Sequence, residues 1–254
     1  MGLFDRLFGS RGDDGQTEGK AIKPRHSPQV ARLLKKSTNK FGQVQDRQAA
    51  LQALAELGTE EAIEALLQRY TFRIEQTIGD EEEKRMVFES LVRLGPPAVP
   101  PILRFLESQS APYWPTKALT QIVGPEQTVT HLLALIETME AVFDRDIERK
   151  VELVSNLREF KDPRVRDTLM GFLKDENEEF RVQALEGLAD LGSEEMGDLL
   201  VERLVDEHET QRVKTAILNL LIERKWKVKR HKDMIRKAIP DAYWIDDVGI
   251  IHPR

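Results

Sequence analysis

Two stretches of this chain are built on one template: RQAALQALAELGTEEAIEALLQRY from Arg47 and RVQALEGLADLGSEEMGDLLVERL from Arg181. Both follow R-x-x-A-L-x-x-L-x-x-L-G-[TS]-E-E and then run into a second apolar stripe. A recurring unit constrains the fold more tightly than any single motif, because each copy must be one supersecondary element that buries its apolar face against the next. Looser copies start at Lys84 (KRMVFESLVRLGPPAVPPILRFL) and at Lys150 (KVELVSNLREFKDPRVRDTLMGFL), where Lys161 replaces the glycine. The most degenerate copies run from Trp114 to Ile136 and from Val213 to Ile239. Glycines 58, 95, 124 and 192, with Lys161 in the gap, space the units by roughly 30 to 37 residues.

The chemistry inside one unit explains its spacing. Ala50, Leu51, Leu54 and Leu57 fall on one side of a helix at 3.6 residues per turn and form a buried stripe. Gly58 suits the left-handed conformation that ends this helix, Thr59 caps the next, and Glu60 and Glu61 sit at its positive end. Ala62, Ile63, Leu66 and Leu67 supply the second stripe. Ser193 with Glu194 and Glu195 repeats the device, and Asp162 with Pro163 does so with an acidic cap and a proline at the first helical position. Each unit is therefore a helical hairpin. A lone hairpin cannot bury both stripes, so neighbours stack into a solenoid with a continuous core.

On these residues the chain resembles the HEAT-like repeat family, especially the short bacterial type first described in phycobilin lyases. The signature there is an acidic turn, often opened by Asp, then an Arg, an Ala-rich first helix ending in Leu-Gly, and a second helix. The segment Asp175 to Leu204 matches best, with Arg181, Ala184, Leu188, Leu191 and Gly192 in place. The resemblance covers about residues 44–239. It implies an all-α, right-handed α-solenoid of about six HEAT-like helical hairpins, in which the second helices usually line the concave side. Scaffolds, adaptors, lyases and nucleic-acid binders all use this architecture, so it assigns no activity by itself.

Composition agrees with helices, at 32% charged and 6% aromatic residues. The absence of cysteine excludes disulfides, thiolate nucleophiles and Cys-ligated metal sites, and suits a reducing cytosol. No stretch approaches the ~20 apolar residues of a membrane span, and the short apolar start lacks the basic lead of a signal peptide. The expected location is cytoplasmic, at most peripheral at a membrane. The net charge of −6 hides a segregation of sign: residues 20–47 and 224–237 each carry +7, and residues 48–223 carry −16. An acidic middle of this size favours a protein partner with a basic face.

Specific chemistry is sparse. Histidines 26, 131, 208, 231 and 252 form no i, i+4 pair, and HExxH, Walker, GxGxxG and GxSxG patterns are absent, so no metal or cofactor is expected. His208 in DEHET and the acidic run GDEEEKR at 79–85 both read as solvated helix starts, and the run lacks the Asp/Asn alternation and Gly of a calcium loop. A lyase acting with a paired subunit on a tetrapyrrole is implied by the resemblance alone. In ERKWKVKRHKDMIRK, residues 223–237, Trp226, Lys227, Lys229 and Arg230 could meet a nucleic acid, the lysines on phosphates and the indole on a base. The acidic middle repels a duplex along the repeats, and the strip equally suits the solvated end cap that an array requires.

Both ends of the chain depart from the template. Residues 1–8 form a short amphipathic tip, with Leu3, Phe4, Leu7 and Phe8 on one face of a helix and Asp5 and Arg6 on the other. Residues 9–28, rich in Gly, Ser and Pro, read as a flexible tether. One or two turns of free helix are unstable in water, so the tip should order on a bilayer, in a partner's groove or on its own solenoid. Arg6 stands where a myristoylation motif needs Ser or Thr. Residues 29–239 make the solenoid. Residues 240–254, with Tyr243 and Trp244 as anchors, cap its end or dock elsewhere. The sequence thus points to a non-enzymatic, protein-binding scaffold or adaptor, with the Glu and Asp of the second helices as the first choice of surface.

Overall fold

A computed structural model describes residues 26–75, 77–192, 195–228 and 232–254. The tip residues Leu3, Phe4, Leu7 and Phe8, the cap Ser193, and Lys229 and Arg230 lie outside the described residues. Thirteen α-helices appear among those described. α1 (Pro28–Ser37) precedes six hairpins: α2 (Val44–Leu57) with α3 (Glu60–Leu67), α4 (Thr77–Leu94) with α5 (Val99–Ser108), and α6 (Tyr113–Val123) with α7 (Pro125–Thr138). They continue as α8 (Asp144–Leu157) with α9 (Pro163–Phe172), α10 (Glu178–Leu191) with α11 (Glu195–Leu204), and α12 (Gln211–Glu223) with α13 (Lys232–Ala238). The molecule is an all-α solenoid. At its end, β1 (Tyr243–Ile245) and β2 (Ile251–Pro253) form a small antiparallel hairpin that packs on α12 and α13.

Local chemistry sets the helix ends. Gly58 closes α2 at φ 58° and ψ 8°, its N–H donating to Leu54 O. The Thr59 hydroxyl accepts from the Ala62 N–H at 3.3 Å, and Asp162 accepts from Arg164 N–H at 2.9 Å just before Pro163. Gly192, in the same template position as Gly58, lies at φ −90° and needs no left-handed turn. Lys225 takes that turn after α12 at φ 51°. Ser27 caps α1, and its N–H and hydroxyl both bind the Glu61 carboxylate at 2.7 Å, tying the start of the described chain to α3.

One apolar core runs the length of the molecule from Val30 to Ile251 and includes both template stripes. Surface pairs bridge stacked helices: Arg158 at the end of α8 reaches Glu186 and Asp190 of α10, and Arg212 of α12 reaches Glu178 and Glu179. The first helices stack as α2, α4 and α6, break between α6 and α8, and resume as α8, α10 and α12. At the break α5 meets α8, where Arg149 Nη1 donates to Ser108 O at 3.2 Å. No described helix is long and apolar enough to cross a membrane.

Candidate functional site

The template arginines are structural clamps. Arg47, at the start of α2, is buried; its Nε donates to Glu83 Oε1 at 3.0 Å, and its Nη1 donates to Gly42 O at 2.6 Å in the loop before its own helix. Glu83, on α4, also accepts from Arg69 Nε at 2.6 Å, and Arg69 bridges on to Asp80, which Lys84 contacts at 2.6 Å. Arg181 repeats the pattern, with Nη1 on Asp175 O and Glu176 O at 2.7 and 2.9 Å and an ion pair to Glu209 at 3.1 Å. Arg203 closes the second clamp on Glu209 at 2.5 Å. GDEEEKR is therefore solvated only at Glu81, Glu82 and Arg85: Asp80, Glu83 and Lys84 are buried in a cluster that Arg47 and Arg69 complete. Burial alone would raise the Asp80 pKa, but hydrogen bonds from Lys84, Arg69 and the Ile74 N–H outweigh it and hold it below the usual value.

The third unit lacks this clamp. Counting eleven residues back from each unit's glycine, or from Lys161, gives Arg47, Lys84, Tyr113, Lys150 and Arg181. Tyr113 alone is not a cation, and it is 55% exposed. At this unit the stacking of first helices breaks and a groove of about 690 Å³ opens. Tyr70, Phe72, Tyr113 and Trp114 contribute to its wall, opposite Glu152, Ser155 and Asn156 of α8. That volume falls within the ~300–1,000 Å³ of sites that hold drug-sized ligands.

The aromatic wall is fixed by its own contacts. Trp114 stacks parallel to Tyr70 at 6.4 Å and meets Tyr113 edge-on at 5.6 Å, and Phe88 lies behind it at 5.8 Å. Lys117 sits 5.4 to 5.9 Å from the centres of the Trp114, Tyr113 and Phe88 rings. The buried clamp also shapes the groove: Arg69 Nη1 donates to Phe72 O at 3.1 Å, and its guanidinium lies 4.5 Å over the Phe72 ring. On the opposite wall Glu152 Oε2 is shielded from solvent and has no hydrogen-bond partner among the described residues. Burial, with Glu148 one turn away, pushes the Glu152 carboxyl above its usual pKa. A cation placed beside it would satisfy that oxygen. Phe41, Ile78, Tyr113, Val142 and Phe143, at the starts of α2, α4, α6 and α8 or the loops before them, are exposed apolar side chains.

The residues singled out from sequence are not gathered at this groove. Trp226 is half-buried against the core, its Cβ beside Gly197, while Lys227 is exposed. Tyr243 and Trp244 lie on β1, where Trp244 stacks on His252 at 4.8 Å and Tyr243 packs partly into the core. His208 is exposed, and no cluster of metal-ligating side chains occurs among the described residues. Tyr113 and Trp114 were missed because they open one of the most degenerate copies, and Glu152 because nothing in the copy from Lys150 sets it apart from the other acidic residues. The available signal was the tyrosine standing at the template's cation position.

Residues 129–221 match the family model for HEAT repeats, and residues 46–70 match that for the PBS lyase HEAT-like repeat. No curated protein matches the chain. The second matched segment spans α2 and α3, including Arg47 and Arg69 of the first clamp, and the first spans α7 to α12, including the second clamp up to Glu209. With the hairpins, the stacking and the recurring clamps, these matches make the chain a HEAT-like repeat protein whose repeats resemble those of phycobilin lyases.

Proposed function

We propose that this helical repeat scaffold is a non-enzymatic adaptor that holds a segment of another protein in the groove between α6 and α8. The segment carries apolar or aromatic side chains and at least one Lys or Arg. The observation that carries this reading is a groove lined by the exposed Tyr113, the half-buried Trp114 and, on α8, Glu152, one of whose oxygens is shielded and has no hydrogen-bond partner among the described residues. Aromatic side chains dominate interface energetics, and the acidic balance of residues 48–223 attracts a basic partner at long range. The PBS lyase likeness covers a segment that builds a clamp, and supports the hairpin architecture rather than lyase chemistry.

The test replaces Tyr113 with a photo-crosslinking phenylalanine derivative and compares it with the same group at Gln127, an exposed position on α7 away from the groove. A partner captured from position 113, absent from position 127 and weakened both by E152Q and by added salt, supports the reading. Equal capture from both positions, or capture indifferent to E152Q, overturns it.

A further inference from the structure

We infer that the solenoid consists of two halves, α1–α7 and α8–β2, that pivot about α7 and so widen or narrow the groove between α6 and α8. Pivoting changes how far Tyr113 and Trp114 stand from Glu152, Ser155 and Asn156, and thereby sets what the groove admits. The motion needs no partner, so the inference stands apart from the adaptor reading.

The junction between the halves is fastened along one edge and loose along the other. On the fastened edge α7 packs against both α8 and α9. There Arg164 of α9 donates from Nη1 to Thr130 Oγ1 at 2.8 Å and from Nη2 to Glu126 O at 3.2 Å, both on α7. On the loose edge the stacking of first helices breaks, and the groove lies where α8 would meet α6. Among the described residues no ion pair crosses from residues 26–138 to residues 144–254. Within the halves such pairs do join neighbouring units: Arg47 with Glu83 and Arg104 with Glu60 in the first, Arg158 with Glu186 and Arg212 with Glu178 in the second. The junction of α4 with α6 also lacks one, but there the helices stack and Trp114 lies 6.4 and 5.8 Å from the Tyr70 and Phe88 rings. A junction held on a single edge is where an array bends, because few contacts oppose the rotation.

The strain sits at the same place. Arg149 Nε and Glu152 Oε2, a donor and an acceptor one turn apart on α8, are both shielded from solvent without a hydrogen-bond partner among the described residues. Leaving such atoms unpaired is costly, so α8 is not fully satisfied where it lies, and a pivot that shifts α8 returns both atoms to water. Across the loose edge Arg149 makes one hydrogen bond, from Nη1 to Ser108 O at 3.2 Å. The connection from α7 to α8 carries Val142 and Phe143, exposed and outside the apolar core, so its backbone can turn without disturbing that core.

The cysteine-free sequence makes the test clean, because spin labels on introduced cysteines report distances in the full chain by pulsed electron paramagnetic resonance. Glu89→Cys on α4 with Arg145→Cys on α8 spans the junction over two units. Gln52→Cys on α2 with Gln121→Cys on α6, and Arg145→Cys with Asn219→Cys on α12, span two units inside each half. All of these positions are exposed. The junction-spanning distance distribution should split in two or be at least about twice as broad as either control. Arg149→Ala, which frees α8 from Ser108, should change it further and leave both controls as they were. A junction-spanning distribution as narrow as the controls, equal broadening of all three pairs, or no response to Arg149→Ala would each overturn the inference.

Discussion

Glu83 sits between Arg47 and Arg69 with all three side chains buried, and Asp80 and Lys84 extend the cluster. Glu209 sits between Arg181 and Arg203 in the same arrangement, but the Arg203 side chain is 28% exposed and the one further charge that joins it, Asp206 at 3.6 Å, is partly exposed too. The clamps share a geometry and differ in their access to water. A buried charge that loses its partner cannot recover hydration, whereas a rim charge can. The first clamp is therefore the more sensitive element, and it also holds Phe72 in the groove wall. Between the two lies the unit with Tyr113 at the cation position, and there a groove opens.

The largest expected effect is that of Glu83→Ala, which strands Arg47 and Arg69 together and should destabilise the protein by roughly 3–5 kcal/mol. Glu209→Ala should destabilise by about 1–3 kcal/mol, because Arg203 can turn to solvent. Urea unfolding of both variants measures the gap, and equal losses would erase the distinction between the clamps. Next come the paired template glycines. Gly58→Ala should destabilise by about 1–2 kcal/mol at its left-handed φ, and Gly192→Ala by about zero, read on the same curves.

Acid sharpens the comparison further. The Asp80 pKa is depressed in the folded state, so its contribution is present above the unfolded value of about 3.9 and is lost as pH falls through the lower folded value. Urea midpoints of the wild type should fall on acidification below about pH 4, and Asp80→Asn should flatten that decline. The smallest stability effect is expected at the groove. The Glu152 pKa is raised, so its ionised form opposes folding at neutral pH, and Glu152→Gln should raise Tm by about 1–2 °C while weakening partner capture. A variant that lost stability and capture together would make Glu152 a structural residue.

Much of this fold is legible in the repeat. The apolar stripes, Gly58, Thr59 and Asp162 all act locally, within one turn of helix, so their roles follow from spacing. The template also isolates Arg47 and Arg181, but nothing local tells a clamp from a solvated surface residue. Their partners lie 36 and 28 residues away, in the next unit. For the same reason Asp80 and Glu83 look solvated within GDEEEKR, since the arginines that bury them come from α2 and from the turn after α3.

By itself the sequence determined that the chain forms stacked hairpins of about this number, because hydrophobic period and helix caps are short-range signals. Tertiary structure decided where the stack breaks, which carboxylates are paired and which shielded carboxylate oxygen among the described residues is left without a partner. Those outcomes depend on how helices from different units meet, and desolvation takes its size from that meeting rather than from the residue's neighbours in sequence.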